Sequence, residues 1–420
     1  MKRLVRHVLS RISPERVQQD NIWKSARTGM LTTANATLVS VPILQVFAIH
    51  MGADESQLGI VRFFAQLAVT AGFVLFSARA TRCPEKELVP TYTRLNLFHA
   101  VLPAAMLLAS LLLLPGYIGT TAGLWIITAG WMLSNFISAY YVMVMTRIEA
   151  CLYSESIYGA VYGFCGILFY LVSALLGAAV GPLLGSHAAA WGFPVVFALS
   201  LGLGVGAFYS ARGYVLVRTP QSAAPAEAEP RKPSAAGQAL PIGVMHVLRG
   251  AISGIYYFIM LIGMRFFGLT ASDAGLLTVL GTFSSMIAYF FILFVADRLG
   301  VVQSSLLSVV INVLALGLLV MVRSRGVFMA SYFLYGIGIA VLNQMMPIGV
   351  LRTVDQAHLA TVTAVRFVAL QLSDALTSLS IGPVVLAAYP WFLLLACVLQ
   401  MTNMVLIRHC FGKPRASSDG

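Results

Sequence analysis

Charge is what this sequence has least of: Asp, Glu, Lys and Arg make up 10% of its 420 residues, against roughly 25% in a soluble domain. A chain so poor in charge cannot cover its own surface in water, which excludes the secreted, soluble-enzyme and nucleic-acid-binding classes. Cysteine is sparse too, with five at 83, 151, 165, 397 and 410 and no CxxC pair, so neither a disulfide framework nor a zinc site is expected. GxxxxGK[ST], HExxH and GxSxG are all absent; the only Gly-Lys, Gly412-Lys413, runs into a proline. An ATP-driven pump and a membrane-embedded enzyme are therefore unsupported, and no metal or cofactor is called for.

What the sequence has instead is apolar length. Hydrophobic residues make up 59% and mean hydropathy is +0.86, and runs of about 20 such residues span a bilayer as helices. They fall at 28–50, 58–78, 92–114, 121–146, 157–182 and 190–209, then at 242–266, 273–296, 302–322, 326–350, 358–386 and 389–409. The fold class read from this is an all-α integral membrane protein of twelve transmembrane helices. Its expected segments are an N-terminal stretch 1–27, a six-helix bundle 28–209, a flexible linker 210–241, a second bundle 242–409 and a tail 410–420. The linker, rich in Ala, Pro, Ser and charge, cannot bury enough apolar surface to fold alone. No removable signal peptide is expected, because a full-length span follows the basic N-terminus. The sequon at Asn35 lies inside that span and should be inaccessible.

The net charge of +12 follows from topology. With the N-terminus cytoplasmic, all Lys and Arg residues fall in cytoplasmic segments except Arg265, Arg323 and Arg325 in outer loops and Arg62, Arg249 and Arg366 within spans. The positive-inside rule then places both termini and the linker in the cytoplasm of a cell (inner or plasma) membrane, and no nucleic-acid partner is inferred. The lipid bilayer is the expected surrounding, and a monomer the expected state.

The two halves repeat. Gly52 and Gly59 recur as Gly268 and Gly275, and Ala80-Thr81-Arg82 recurs as Ala296-Asp297-Arg298, all offset by 216 residues. Like-oriented six-helix halves are the plan of transporters that rock about a midplane site. The chain here resembles the major facilitator superfamily (MFS) over essentially its whole length. Ala296-Asp297-Arg298-Leu299-Gly300 is similar to that family's cytoplasmic loop signature, whereas Ala80-Thr81-Arg82-Cys83-Pro84 keeps Arg82 and loses the acid. Gly177, Gly181, Pro182 and Gly185 on span five are similar to the motif associated with proton-driven exporters, although small-xxx-small spacing also serves ordinary helix packing. The resemblance implies a cytoplasmic gate at Asp297, Arg298 and Gly300, with Arg147 and Glu149, and Arg352 and Asp355, as clamp partners at the ends of spans four and ten.

Sorting the acids isolates Asp374, the single carboxylate deep in a span, where ionised groups are costly and functional by default. Arg366 lies two turns earlier on the same face, and Arg62 about one turn inside span two. The resemblance makes spans two and eleven neighbours, so Arg62 and Asp374 are expected to approach. Arg249, in the cytoplasmic third of span seven, is read as snorkelling to the cytoplasmic face. Spans one, four, seven and ten line the cavity in the family, which makes Asn35, Gln45, Asn135, Tyr141, Tyr256, Tyr257, Asn343 and Gln344 the candidate contacts to a small organic solute. The function expected is secondary transport by alternating access, as proton-coupled export; import, uniport or a transport-inactive sensor stay open.

The topology is testable. Cysteines introduced at Ser222 or Ser234 in the linker should resist an impermeant thiol reagent applied to intact cells; efficient labelling from outside would overturn the assignment.

Overall fold

The computed structural model describes residues 9–10, 12–153, 158–185, 189–217, 235–292, 295, 297–354 and 356–412. Asp355, the side chains of Asp297 and Arg352 and most of the linker lie outside them. Twelve helices are long and apolar enough to cross a membrane: Arg16–His50, Glu55–Ala80, Lys86–Leu113, Thr120–Glu149, Phe164–Leu184, Trp191–Ser210, Ala239–Phe266, Asp273–Phe291, Arg298–Met321, Arg325–Val350, Val362–Val384 and Tyr389–Phe411. No strand occurs among the described residues. The first helix starts at Arg16 rather than at residue 28, because charged and amide residues sustain a helix beyond its apolar stretch.

The chain divides into two compact units, Met1–Gly52 with Ala71–Ala224, and Ala53–Thr70 with Pro225–Gly420. In the first, the first span packs on the fifth and sixth, and the third on the fourth and sixth. In the second, the seventh packs on the eleventh and twelfth, and the ninth on the tenth and twelfth. The pairings repeat span for span, so the duplication legible in the sequence is also one of packing. The first part of the second span, 53–70, belongs to the second unit.

Backbone irregularities repeat as well. The first span breaks between Leu38 and Val41 and the seventh between Tyr256 and Ile259. In the first span Pro42 opens the following helix, where its missing N–H costs nothing. Gly52 and Gly268 both take left-handed conformations, φ +87° and +70°, which a Cβ disfavours. Gly300 does so too, at φ +77°, whereas its counterpart in the first half, Pro84, sits at φ −63°.

Within the first unit the polar groups tie helices together. Asn35 donates from Nδ2 to the carbonyl oxygens of His99 (2.9 Å) and Ser200 (2.8 Å), joining spans one, three and six. Tyr92 and Tyr141 stack with ring centroids 5.3 Å apart inside an apolar cluster that includes Tyr140, Val144 and Ile148. Arg147 donates to the carbonyls of Ala80 and Cys83, which neutralises the free acceptors at the end of the second helix.

Within the second unit, glycines set the closest approach. Gly250 and Gly254, a GxxxG pair on the seventh span, lie directly against the eleventh: a Cβ at Gly254 would sit 2.8 Å from Thr377 Cβ and 2.9 Å from the Asp374 carbonyl oxygen. Gly59 does the same on another side, where a Cβ would meet the Ser378 carbonyl at 2.7 Å. Small residues let membrane helices pack through dispersion and hydrogen bonds. Gly254→Ala should therefore lower the thermal midpoint of the detergent-solubilised protein, by about 1–3 kcal/mol of overpacking. Gly317→Ala, where a Cβ meets nothing within 4 Å, should leave it unchanged or slightly raised; equal effects would mean that the close approach is not what holds these helices.

Candidate functional site

Asp374 sits at the middle of the eleventh span, 3% exposed. An isolated Asp at such a depth costs about 2.5–3.5 kcal/mol on insertion scales, so its surroundings must supply a countercharge. They do. Arg62 grips the carboxylate with both forks, Nε to Oδ1 at 3.2 Å and Nη2 to Oδ2 at 2.7 Å, the bidentate geometry in which an arginine pairs best with a planar carboxylate. Ser253 donates to Oδ2 at 2.9 Å and Ser378 to Oδ1 at 3.2 Å. The approach of Gly250, Gly254 and Gly59 to the eleventh span is what brings Ser253 and Arg62 within reach.

Gln66, one turn after Arg62, completes the network. With its amide oxygen toward Arg62 it accepts from the guanidinium at 2.7–3.1 Å and its nitrogen faces the Gln371 side-chain oxygen. The opposite orientation would donate to Asp374 Oδ2 at 3.3 Å but would set an NH2 against three guanidinium donors. The hydrogen-bond pattern therefore selects the first orientation. The Tyr257 ring lies 5.0 Å from the Arg62 guanidinium carbon, close enough for cation–π attraction.

Arg366 does not join this network. It lies two turns from Asp374, about 12 Å along the helix axis, and is itself buried at 9% exposure. Its guanidinium lies over the ring of the adjacent Phe367. Arg249 reaches from Nη2 to the Asn343 oxygen on the tenth span, and its Nη1 stands 3.5 Å from His246 Nε2.

The other candidates separate by unit. In the second unit Tyr256 stacks on Tyr335 at 3.9 Å between centroids, and Gln344 donates to the Tyr289 hydroxyl at 2.9 Å. In the first unit Asn35 and Tyr141 are engaged in helix packing, Gln45 is fully buried and Asn135 half-buried. Arg82 and Arg298 are exposed at span ends, Arg147 and Glu149 are half-buried, Gly177 and Gly181 are buried and Pro182 is exposed. Sequence reasoning missed Gln66, Ser253, Gln371 and the glycine pair. The signal was present: Gln66 is at i+4 from Arg62, Gln371 at i−3 from Asp374, and Ser253 lies within a GxxxG.

The pair is measurable. Asp374→Asn should destabilise by about 3–5 kcal/mol, since it leaves Arg62 buried without its countercharge. Adding Arg62→Gln should restore part of that, with a coupling energy of about 1–3 kcal/mol in a double-mutant cycle on unfolding in detergent. Strict additivity would show the contact to be energetically idle.

No protein-family model and no curated protein matches the chain in sequence. Solved structures do match in shape. The nucleoside transporter NupG, in the form of a point mutant, is 12% identical with a TM-score of 0.67, covering 93% of this chain and 100% of that one. A bacterial homologue of the iron transporter ferroportin, inward-facing, is 13% identical with a TM-score of 0.66, over 96% of this chain and 100% of its own. The D-xylose–proton symporter is 13% identical with a TM-score of 0.65, over 92% and 96%. Identity this low speaks of architecture alone: the chain shares the helical fold of these solved transporters over nearly its whole length.

Proposed function

We propose that this chain is a secondary transporter that moves a small organic solute by alternating access, with Asp374 as the residue that couples movement to protons. The observation that carries the reading is the one deep carboxylate among the described spans, clamped by an arginine from a distant part of the sequence and ringed by neutral donors. Such a cluster has two satisfied arrangements. With Arg62 in place the carboxylate is ionised and paired. With Arg62 withdrawn, a buried anion would stand without countercharge, and uptake of a proton neutralises it. The neutral acid donates one hydrogen bond and accepts others, which hydroxyls such as those of Ser253 and Ser378 can provide. Movement of the arginine and movement of the proton are then one event, which would couple alternating access to a proton gradient.

The glycines and proline at 177–185 favour export as the direction. The exposed Arg298 at the start of the ninth span, two residues before the left-handed Gly300, supports a gate at this loop. The proposed setting is a cell membrane, with both termini and the linker in the cytoplasm and one chain as the working unit.

Reconstituted vesicles test the coupling, with a solute found by thermal-shift screening of metabolites. Asp374→Asn should still exchange solute across the membrane at equal pH, yet accumulate none in response to a pH gradient. An unchanged gradient response would make Asp374 structural and the protein a uniporter or one coupled elsewhere.

A further inference from the structure

Once Arg62 is matched with Asp374 and Arg325 with Asp273, the charges left deep within the described spans of the second unit are both positive. Arg249 and Arg366 are carried by the seventh and eleventh spans, which run side by side in the same direction: Gly243 faces Val365, Gly250 faces Leu370, and Gly254 faces Thr377. That register sets Arg249 about one helical turn from Arg366 along the pair of helices. Neither has a carboxylate partner among the described residues. Arg249 Nε is buried without a hydrogen bond, and Arg366 is more than nine-tenths buried with its guanidinium over the Phe367 ring.

Nearby groups do not relieve this. His246 is buried with Nδ1 2.8 Å from the Ile242 carbonyl, so that nitrogen carries the hydrogen. Its Nε2 is then a lone pair toward Arg249, and the imidazole is neutral. Asn343 offers a neutral oxygen. Beyond Arg249 the stacked rings of Tyr256, Tyr335 and Tyr332 form an aromatic wall on spans seven and ten. Two like charges left together in a low-dielectric interior repel and are poorly solvated. Their retention calls for a negative guest, and planar guanidinium forks fit carboxylate and phosphate oxygens in particular.

We infer that Arg249 and Arg366 form the anion-binding half of the solute site, and that the solute is a small organic anion whose carboxylate or phosphate lies between them while its apolar or aromatic body rests on the tyrosines. This names the substrate class and rests on the transporter reading, although the site can be assayed without transport.

The probes are four molecules of one shape: benzoate, phenyl phosphate, benzylammonium and benzyl alcohol. Isothermal titration of the full-length purified protein should show saturable binding of benzoate or phenyl phosphate by about 10 mM, with little or none of the cation or the alcohol. Arg249→Gln and Arg366→Gln should each weaken it by roughly 10- to 100-fold, the worth of a hydrogen bond to a charged group. Arg366→Lys, which keeps charge but loses the fork, should fall between, and Arg265→Gln, at an exposed arginine, should bind as the parent does. A second readout separates a binding arginine from a structural one: without anion, Arg366→Gln should raise the thermal midpoint, since an uncompensated buried charge is removed. A lower midpoint, equal binding of benzylammonium, or no saturable anion binding would overturn the inference. Anion binding without solute flux in vesicles would sink the transporter reading and keep the site; flux confined to cations or neutral solutes would do the reverse.

Discussion

The second unit is organised around one electrostatic necessity, the neutralisation of Asp374 in the middle of a membrane helix. A buried carboxylate is costly unless it is paired and hydrogen-bonded, so the protein brings the donors. It does so by removing side chains elsewhere: Gly59, Gly250 and Gly254 let two other helices come near enough for Arg62 and Ser253 to touch the carboxylate. The packing and the charge network are the same design feature. Enlarging any of these glycines would act on the ion pair through distance, even though none carries a polar side chain.

The two arginine populations in that unit differ in kind. Arg62 is held by a carboxylate, an amide and a ring, so its position is determined several times over. Arg249 and Arg366 have no carboxylate among the described residues, and Arg249 keeps a buried Nε without a hydrogen bond. Saturated groups specify structure, whereas unsaturated buried ones describe what is meant to arrive. Under the proposals above, coupling and recognition would rest on different side chains, so that a proton and a solute need not compete for the same atoms.

Architecture was legible in the sequence because it rests on long-range averages. Apolar length, basic asymmetry and a shared offset of glycines survive local error, and they gave twelve spans and two halves. The site was legible in part. Asp374 stood out because a deep carboxylate is costly, and its approach to Arg62 followed from the family arrangement. Ser253, Gln66 and Gln371 were not found, since a neutral polar residue costs little in a span and which neighbour it meets depends on helix rotation. The same limit explains Asn35 and Tyr141: amides and phenols suit both solute contact and helix bracing, and only the partners at His99, Ser200 and Tyr92 show which role they fill here.

The turn at Gly300 has no equivalent at Pro84. A proline cannot enter the left-handed region that the glycine occupies, so the duplicated loops have become different mechanical parts: one a sharp corner, the other a stiff, extended entry into the next helix. Symmetry was therefore broken in the backbone, beneath the level at which exchanging side chains could restore it. The repeat therefore has a polarity, and the two loops cannot substitute for one another.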